Sequence, residues 1–284
     1  MSGERRWRFA FSKRWLGYLG LLIVFAIACG FLSHWQFERR DERVSENARI
    51  TGNFDREPVP LEDELAALDD FTINQEWTPV LMEGRYLTDE QLLARSRPHN
   101  GLPGFEILTP FETEDGRVFI VNRGWIPTGD AQDSPDHVPA APAGDVTVVA
   151  RLKPGEPEIP GRSAPAGQIA TIHLPQFADE LGTDRVYTGA YGLLSAERPA
   201  TETGALRAKP ALTEGNHLSY AFQWIIFAII ALLGLIFGLR AEYRDRNPDD
   251  PKVRQAIARE RERAGKRRKT DAEIEDELLD RAGG

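Results

Sequence analysis

The chemistry open to this chain centres on His217, Tyr220, Gln223 and Trp224, in the stretch "GNHLSYAFQWIIFAIIALLGLIFGLR". A neutral imidazole is the commonest metal-ligating side chain, and this one stands at the edge of a long uncharged run. On a helix turning about 100° per residue, Tyr220 lies about 60° and Trp224 about 20° from His217. Ala221 and Ala228 flank the same line. One face would offer an imidazole, two aromatic rings and then small residues. It could hold a ligand; equally, His, Tyr and Trp suit the headgroup zone of a membrane in their own right. His34, at the edge of a second uncharged run, is the other candidate ligand.

A further constellation is "VNRGWIP" (121–127). Asn122 and Gly124 tolerate left-handed backbone, while Arg123 and Trp125 offer a cation and a broad flat surface. The segment reads either as a strand end turning over a packed tryptophan or as an outward Arg/Trp surface for a partner. Hydrolytic and phosphate-handling signatures are missing: there is no Gly-x-Ser-x-Gly, no His-Glu-x-x-His and no phosphate-binding glycine loop. His99, His137 and His173 are scattered through an acidic region, and no spacing selects a pair of carboxylates. A non-enzyme is therefore expected.

Two apolar runs must position these residues. Leu16 to Ser33 and Tyr220 to Leu239 contain no charged side chain. At a rise of about 1.5 Å per residue, each is long enough to cross a hydrocarbon core of about 30 Å. The basic start followed by "AIAC" could also be a secretory signal or a lipidation site at Cys29. However, the apolar run continues past Cys29 and ends on Trp35, a suitable interfacial anchor, so an uncleaved helix is expected. Arg5, Arg6, Arg8, Lys13 and Arg14 precede the first run, and Arg240, Arg244 and Arg246 follow the second, which places both ends in the cytoplasm. Residues 36–219 carry 17 basic against 31 acidic side chains, which is no nucleic-acid footprint. With Cys29 the only cysteine, that outer region has no disulfide, no cysteine-based zinc site and no thiol relay.

The expected fold is a membrane protein with two transmembrane α-helices, 15–35 and 220–239, bracketing a β-rich α+β extracytoplasmic domain, 36–219. Segments 1–14 and 240–284 are the cytoplasmic ends. Strands are expected over 77–87, on both sides of Asp115-Gly116 as a tight hairpin, over 145–153 and over 168–174. "TDEQLLAR" from Thr88 carries a capping-box pattern, and "LPQFADELG" has an early Pro175 and a stop at Gly182, so both are expected to be short helices. Residues 134–144 and 154–167 read as loops. The tail beyond Pro248 is a basic block followed by an acidic one from Asp271. It should be a solvated helix or partly disordered, with contact to membrane lipids as the alternative.

Three segments, in this order, resemble the surfeit locus protein 1 family, membrane-anchored assembly factors of haem–copper cytochrome c oxidase. Leu32, Trp35, Gln36 and Arg39 match the end of the family's first span, with Ser33 where glycine is usual. Val121, Asn122, Arg123, Gly124, Trp125 and Pro127 match its middle motif. His217, Leu218, Tyr220, Ala221, Gln223 and Trp224 match the opening of its second span, and "GFEILTPF" also fits. The resemblance implies a membrane protein that handles haem a, with His217 as the leading iron ligand; the excess of arginine over lysine points to a bacterial plasma membrane, with the mitochondrial inner membrane as the alternative. Its implied partners are the oxidase core subunit and the haem a synthesis machinery. A macrocycle could then lie along His217, Tyr220 and Trp224 with its apolar edge at lipid depth. His34, outside the family pattern, makes a bis-histidine site conceivable, with Gly17 and Gly20 packed on Gly234 and Gly238. The alternatives are a haem-independent scaffold using the Asn-Arg-Gly-Trp surface, and a membrane-tethered hydrolase.

Overall fold

A computed structural model describes residues 7–130 and 133–266. The helices are α1 (Lys13–Asn53), α2 (Leu61–Glu64), α3 (Leu174–Leu181), α4 (His217–Arg246) and α5 (Pro251–Lys266). The strands are β1 (Val59–Pro60), β2 (Pro79–Tyr86), β3 (Leu92–Ala94), β4 (Gly104–Thr113), β5 (Val118–Pro127), β6 (Val146–Pro154), β7 (Gln168–Ile169) and β8 (Ala190–Arg198). Contacts divide the chain into two units, one being Asp41–Gly215 and the other formed by the two ends of the chain.

In the first unit the sheet order is β1-β2-β6-β8-β5-β4-β3-β7, and β2 also pairs with β4. The strands β2, β6, β8, β5 and β4 therefore form a closed circuit, which removes their free edges. Side chains alternate across a strand. One set from all five, including Val80, Phe111, Phe119, Val121, Val148 and Leu194, gathers into a single buried cluster inside the circuit. The opposite faces of β4, β5 and β8 bury Leu108, Ile120 and Leu193 against Phe177 of α3 and against Ile50 and Phe54.

The β4–β5 hairpin forms where the Asp-Gly pair expects it. Gly116 takes φ +80°, and the Thr113 N–H donates to the Arg117 carbonyl at 2.9 Å. Helix α3 carries proline in its first turn and ends on Gly182 at φ +61°, as the sequence pattern requires. Two expectations are overturned. The segment from Thr88 is one 3-10 turn, Thr88–Glu90, followed by β3, because Leu92, Leu93 and Ala94 pair with Leu108, Ile107 and Glu106. Gln91 accepts a hydrogen bond from the Thr109 hydroxyl instead of closing a capping box. In "QIATIHL" only Gln168–Ile169 is strand, paired with β3; Ile172 and Leu174 turn into the core beneath α3.

Among the described residues, α4 of the second unit and α1, which begins there and runs on past Arg40 into the first, are the two helices long and apolar enough to cross a membrane. Both outrun the expected spans. Helix α1 continues unbroken through Cys29 and onward to Asn53, its polar part supported by ion pairs such as Arg43–Glu46 at 2.9 Å. Gly17, Gly20 and Gly234 face open space, so the expected glycine-on-glycine packing does not form. Gly238 lies instead against the Trp15 indole. The basic residues Arg259 and Arg261 lie on α5; the acidic block from Asp271 is outside the described residues.

Candidate functional site

His217 is the first residue of α4, preceded by Asn216, which gives no side-chain cap. Its Nδ1 lies 2.9 Å from Oε1 of Gln36 on α1. One turn along each helix, the Ser33 hydroxyl donates to the Ala221 carbonyl at 3.0 Å, in antiparallel register with Gln36 and His217. Phe37 meets Phe222 edge-on at 6.0 Å, and α1 also buries Cys29, which is 2% exposed. At the other end of the pair, Trp15 Nε1 donates to Glu242 at 2.8 Å, and Arg14 pairs with the same carboxylate.

This geometry revises the helical-wheel expectation. Ala221 is completely buried, so the small-residue line beside His217 admits α1 and leaves no room for a ligand. Tyr220 is 49% exposed, Gln223 is exposed, and Trp224 is half-buried with an edge-on contact to Phe227. His217, Tyr220 and Trp224 thus share one side of α4, with Tyr220 the most exposed of the three. His34 is not brought to His217. It is two residues from Gln36, about 200° round the helix, and its Nε2 sits 3.3 Å from Glu38 on its own helix. Trp35 is exposed, with the Arg39 guanidinium 5.9 Å from its ring.

The Asn-Arg-Gly-Trp segment is part of β5, and its arginine points inward, not outward. Phe119, Val121 and Arg123 share one face of the strand, so Arg123 enters the circuit and is 0% exposed. Its Nη2 lies 2.8 Å and its Nε 3.3 Å from the Glu197 carboxylate. It also donates to the carbonyls of Pro139 and Glu202 and to the Thr201 hydroxyl. The Tyr86 hydroxyl donates to Glu197 at 3.0 Å; burial first, and then the Glu197 charge, push that phenol far up and keep it protonated. Asn122 Oδ1 accepts from the Gly124 N–H, and the Trp125 indole N–H donates to the Arg97 carbonyl at 2.7 Å. Arg123 is thus buried and paired, and presents no exposed cation to a partner.

The remaining histidines are dispersed. His137 pairs with Glu202, His173 contacts the Glu156 carbonyl, and His99 packs on Trp125. Among the described residues no group of three or more His, Cys, Asp or Glu converges on one point. Sequence reasoning missed Gln36 as the partner of His217 and Glu197 as the partner of Arg123. The first shared a motif with its neighbours but carried no sign of its contact. The burial of Arg123 was signalled by the alternation Phe119, Val121, Arg123.

The SURF1 family matches residues 23–229. A SURF1-like protein of Mycobacterium tuberculosis is 33% identical over 277 residues, 92% of this chain and 99% of the relative. A SURF1-like protein of Monosiga brevicollis is 29% identical over 252 residues, 80% of this chain and 90% of its own length. The cytochrome oxidase assembly protein SHY1 of Saccharomyces cerevisiae is 29% identical over 109 residues, 38% of this chain and 28% of its own length.

Proposed function

Because the chain belongs to the SURF1 family, we propose that it is a membrane-anchored, non-enzymatic assembly factor for cytochrome c oxidase that binds haem a through His217 and passes it to the oxidase core subunit. The name of the yeast relative assigns that protein to cytochrome oxidase assembly, and the role is extended here to this chain. The membrane reading rests on exposure as well as length. The most apolar windows of α1 and α4 are 11% and 0% buried, so their side chains face outward, where lipid is the favourable neighbour. In this reading the basic residues beyond both apolar runs favour cytoplasmic ends, with residues 36–219 on the outer side of a bacterial plasma membrane.

The observation that carries the haem reading is the state of His217. Its Nδ1 is taken by Gln36, its Nε2 has no hydrogen-bond partner among the described residues, and the ring is half-buried at an apolar boundary. An imidazole anchored through one nitrogen, with the other unbonded among the described residues, would suit a haem iron. In this assignment His217 would hold the iron, Tyr220 would flank it, and Gln36 would keep the ring from swinging. Ser33 closes the opposite side by covering Ala221. Haem a, when delivered, supplies the redox-active iron of the oxidase. The scaffold alternative would have to use Trp125 of the Asn-Arg-Gly-Trp segment, since Arg123 is buried.

The test is expression together with haem a synthesis, followed by reduced-minus-oxidised spectra of the purified wild type and His217→Ala. Haem a bands in the wild type and their loss in the variant are expected. A haem-free wild type that still co-purifies with oxidase subunits would replace the carrier by a scaffold.

A further inference from the structure

We infer that Gln36 is a positioning residue for His217, fixing its imidazole as the Nδ1–H tautomer so that Nε2 is the nitrogen presented to a ligand. The ligand's identity as haem rests on the function proposed above; the tautomer rests on geometry alone. The Gln36 atom facing His217 is Oε1, an amide carbonyl oxygen, which can only accept a hydrogen bond. With Oε1 turned to the ring at 2.9 Å, the hydrogen bond forms only when Nδ1 carries the proton, and a neutral imidazole with its proton on Nδ1 carries its lone pair on Nε2.

The acceptor is itself held in place. Residues 33, 36 and 37 of α1 meet residues 221, 217 and 222 of α4. A hydroxyl–carbonyl bond about one turn away and an aromatic edge contact within about one and a half turns thus flank the Gln36–His217 pair. From the α4 side the ring has little other restraint, because His217 opens the helix and Asn216 contributes no side-chain cap. No other protein group hydrogen-bonds the imidazole among the described residues. A carbonyl acceptor behind a ligating histidine sets the ring plane and raises the basicity of the opposite nitrogen, and its removal typically weakens metal binding about 10–100-fold.

The test uses the full chain in detergent, in two measurements. Nitrogen NMR of the haem-free, 15N-histidine-labelled protein, with His217 assigned by His217→Ala, should show a protonated Nδ1. In Gln36→Leu that preference should be lost. Titration with haem a should then show binding weakened about 10–100-fold in Gln36→Leu. Gln36→Glu, which keeps an acceptor oxygen, should restore affinity and lower the midpoint potential below that of the wild type. If His217→Ala abolishes binding while Gln36→Leu changes neither tautomer nor affinity, the positioning role is refuted and the ligand assignment stands. If His217→Ala leaves haem binding intact, the ligand assignment falls, and the tautomer measurement alone decides the role of Gln36. Weak binding in both Gln36 variants with the Nδ1 proton retained would reduce Gln36 to a helix-packing residue and overturn the inference.

Discussion

Replacing Arg123 by methionine keeps most of the side-chain volume inside the barrel and removes its charge. The Glu197 carboxylate then loses its contacts to Nη2 and Nε and keeps only the Tyr86 and Thr201 hydroxyls at 3.0 and 2.8 Å. The carbonyls of Pro139 and Glu202 lose a donor as well. Breaking one side of a buried ion pair costs about 3–5 kcal/mol, out of about 5–15 kcal/mol for a typical domain. For a unit of this size that is a fall in Tm of about 6–20 °C. Thermal unfolding of the full chain in detergent, followed by tryptophan fluorescence, measures it, since Trp77 and Trp125 both lie in the barrel unit. The Arg123→Met/Glu197→Gln double variant should recover more than about 1 kcal/mol relative to Arg123→Met, because the stranded charge is gone. A fall of less than about 3 °C in Arg123→Met, or a coupling below about 0.5 kcal/mol, would refute the sealed ion pair.

Gly124 takes φ +107°, and a Cβ there would stand 2.6 Å from the backbone of Gly204, so Gly124→Ala should destabilise the barrel by about 1–3 kcal/mol or more in the same melts. Glu156 supplies a pH dependence. Burial alone would raise its carboxyl, but the two-pronged Arg97 contact at 2.7 and 2.6 Å and the Ile172 N–H hold it below the ordinary glutamate value. Its stabilisation is therefore full above the unfolded value, about 4.3, and is lost as pH falls through the lower folded value. Glu156→Gln should flatten the acid limb of a Tm-versus-pH curve, and an unchanged limb would remove this residue from the account. Cys29 should react with a maleimide at least about 100-fold more slowly in the native protein than in SDS, equivalent to an opening free energy of at least about 2.7 kcal/mol. Equal rates would mean that α1 and α4 do not pack through this face.

Local chemistry made part of this fold legible. The Asp115-Gly116 turn, the alternation Val146, Val148, Ala150, Leu152 in β6, and the Pro175 and Gly182 limits of α3 are each set within a few residues of chain. What escaped was decided at a distance. The residues after Thr88 have helical propensity, yet pairing of β3 with β4 overrules it. The sequence "AYGLLSAER" hides a central strand because Gly192 interrupts its apolar pattern. That glycine is needed, since a Cβ there would run into Ala150 and Phe119. The candidate site divides the same way. His217, Tyr220 and Trp224 were found from spacing and motif, but which side of their helix is free depended on Ser33 and Gln36, almost two hundred positions earlier.

The barrel also has a consequence for biosynthesis. Its last strand to be made, β8, is one of its innermost, lying between β6 and β5. Until Ala190–Arg198 has been synthesised, β6 and β5 each present an unpaired edge, the kind of template that recruits foreign strands. Helix α4 begins soon afterwards, at His217. Closure of the barrel and emergence of the second long apolar helix therefore fall within the same short interval of translation. A ribosome that pauses before Ala190 leaves four of the five barrel strands open and aggregation-prone.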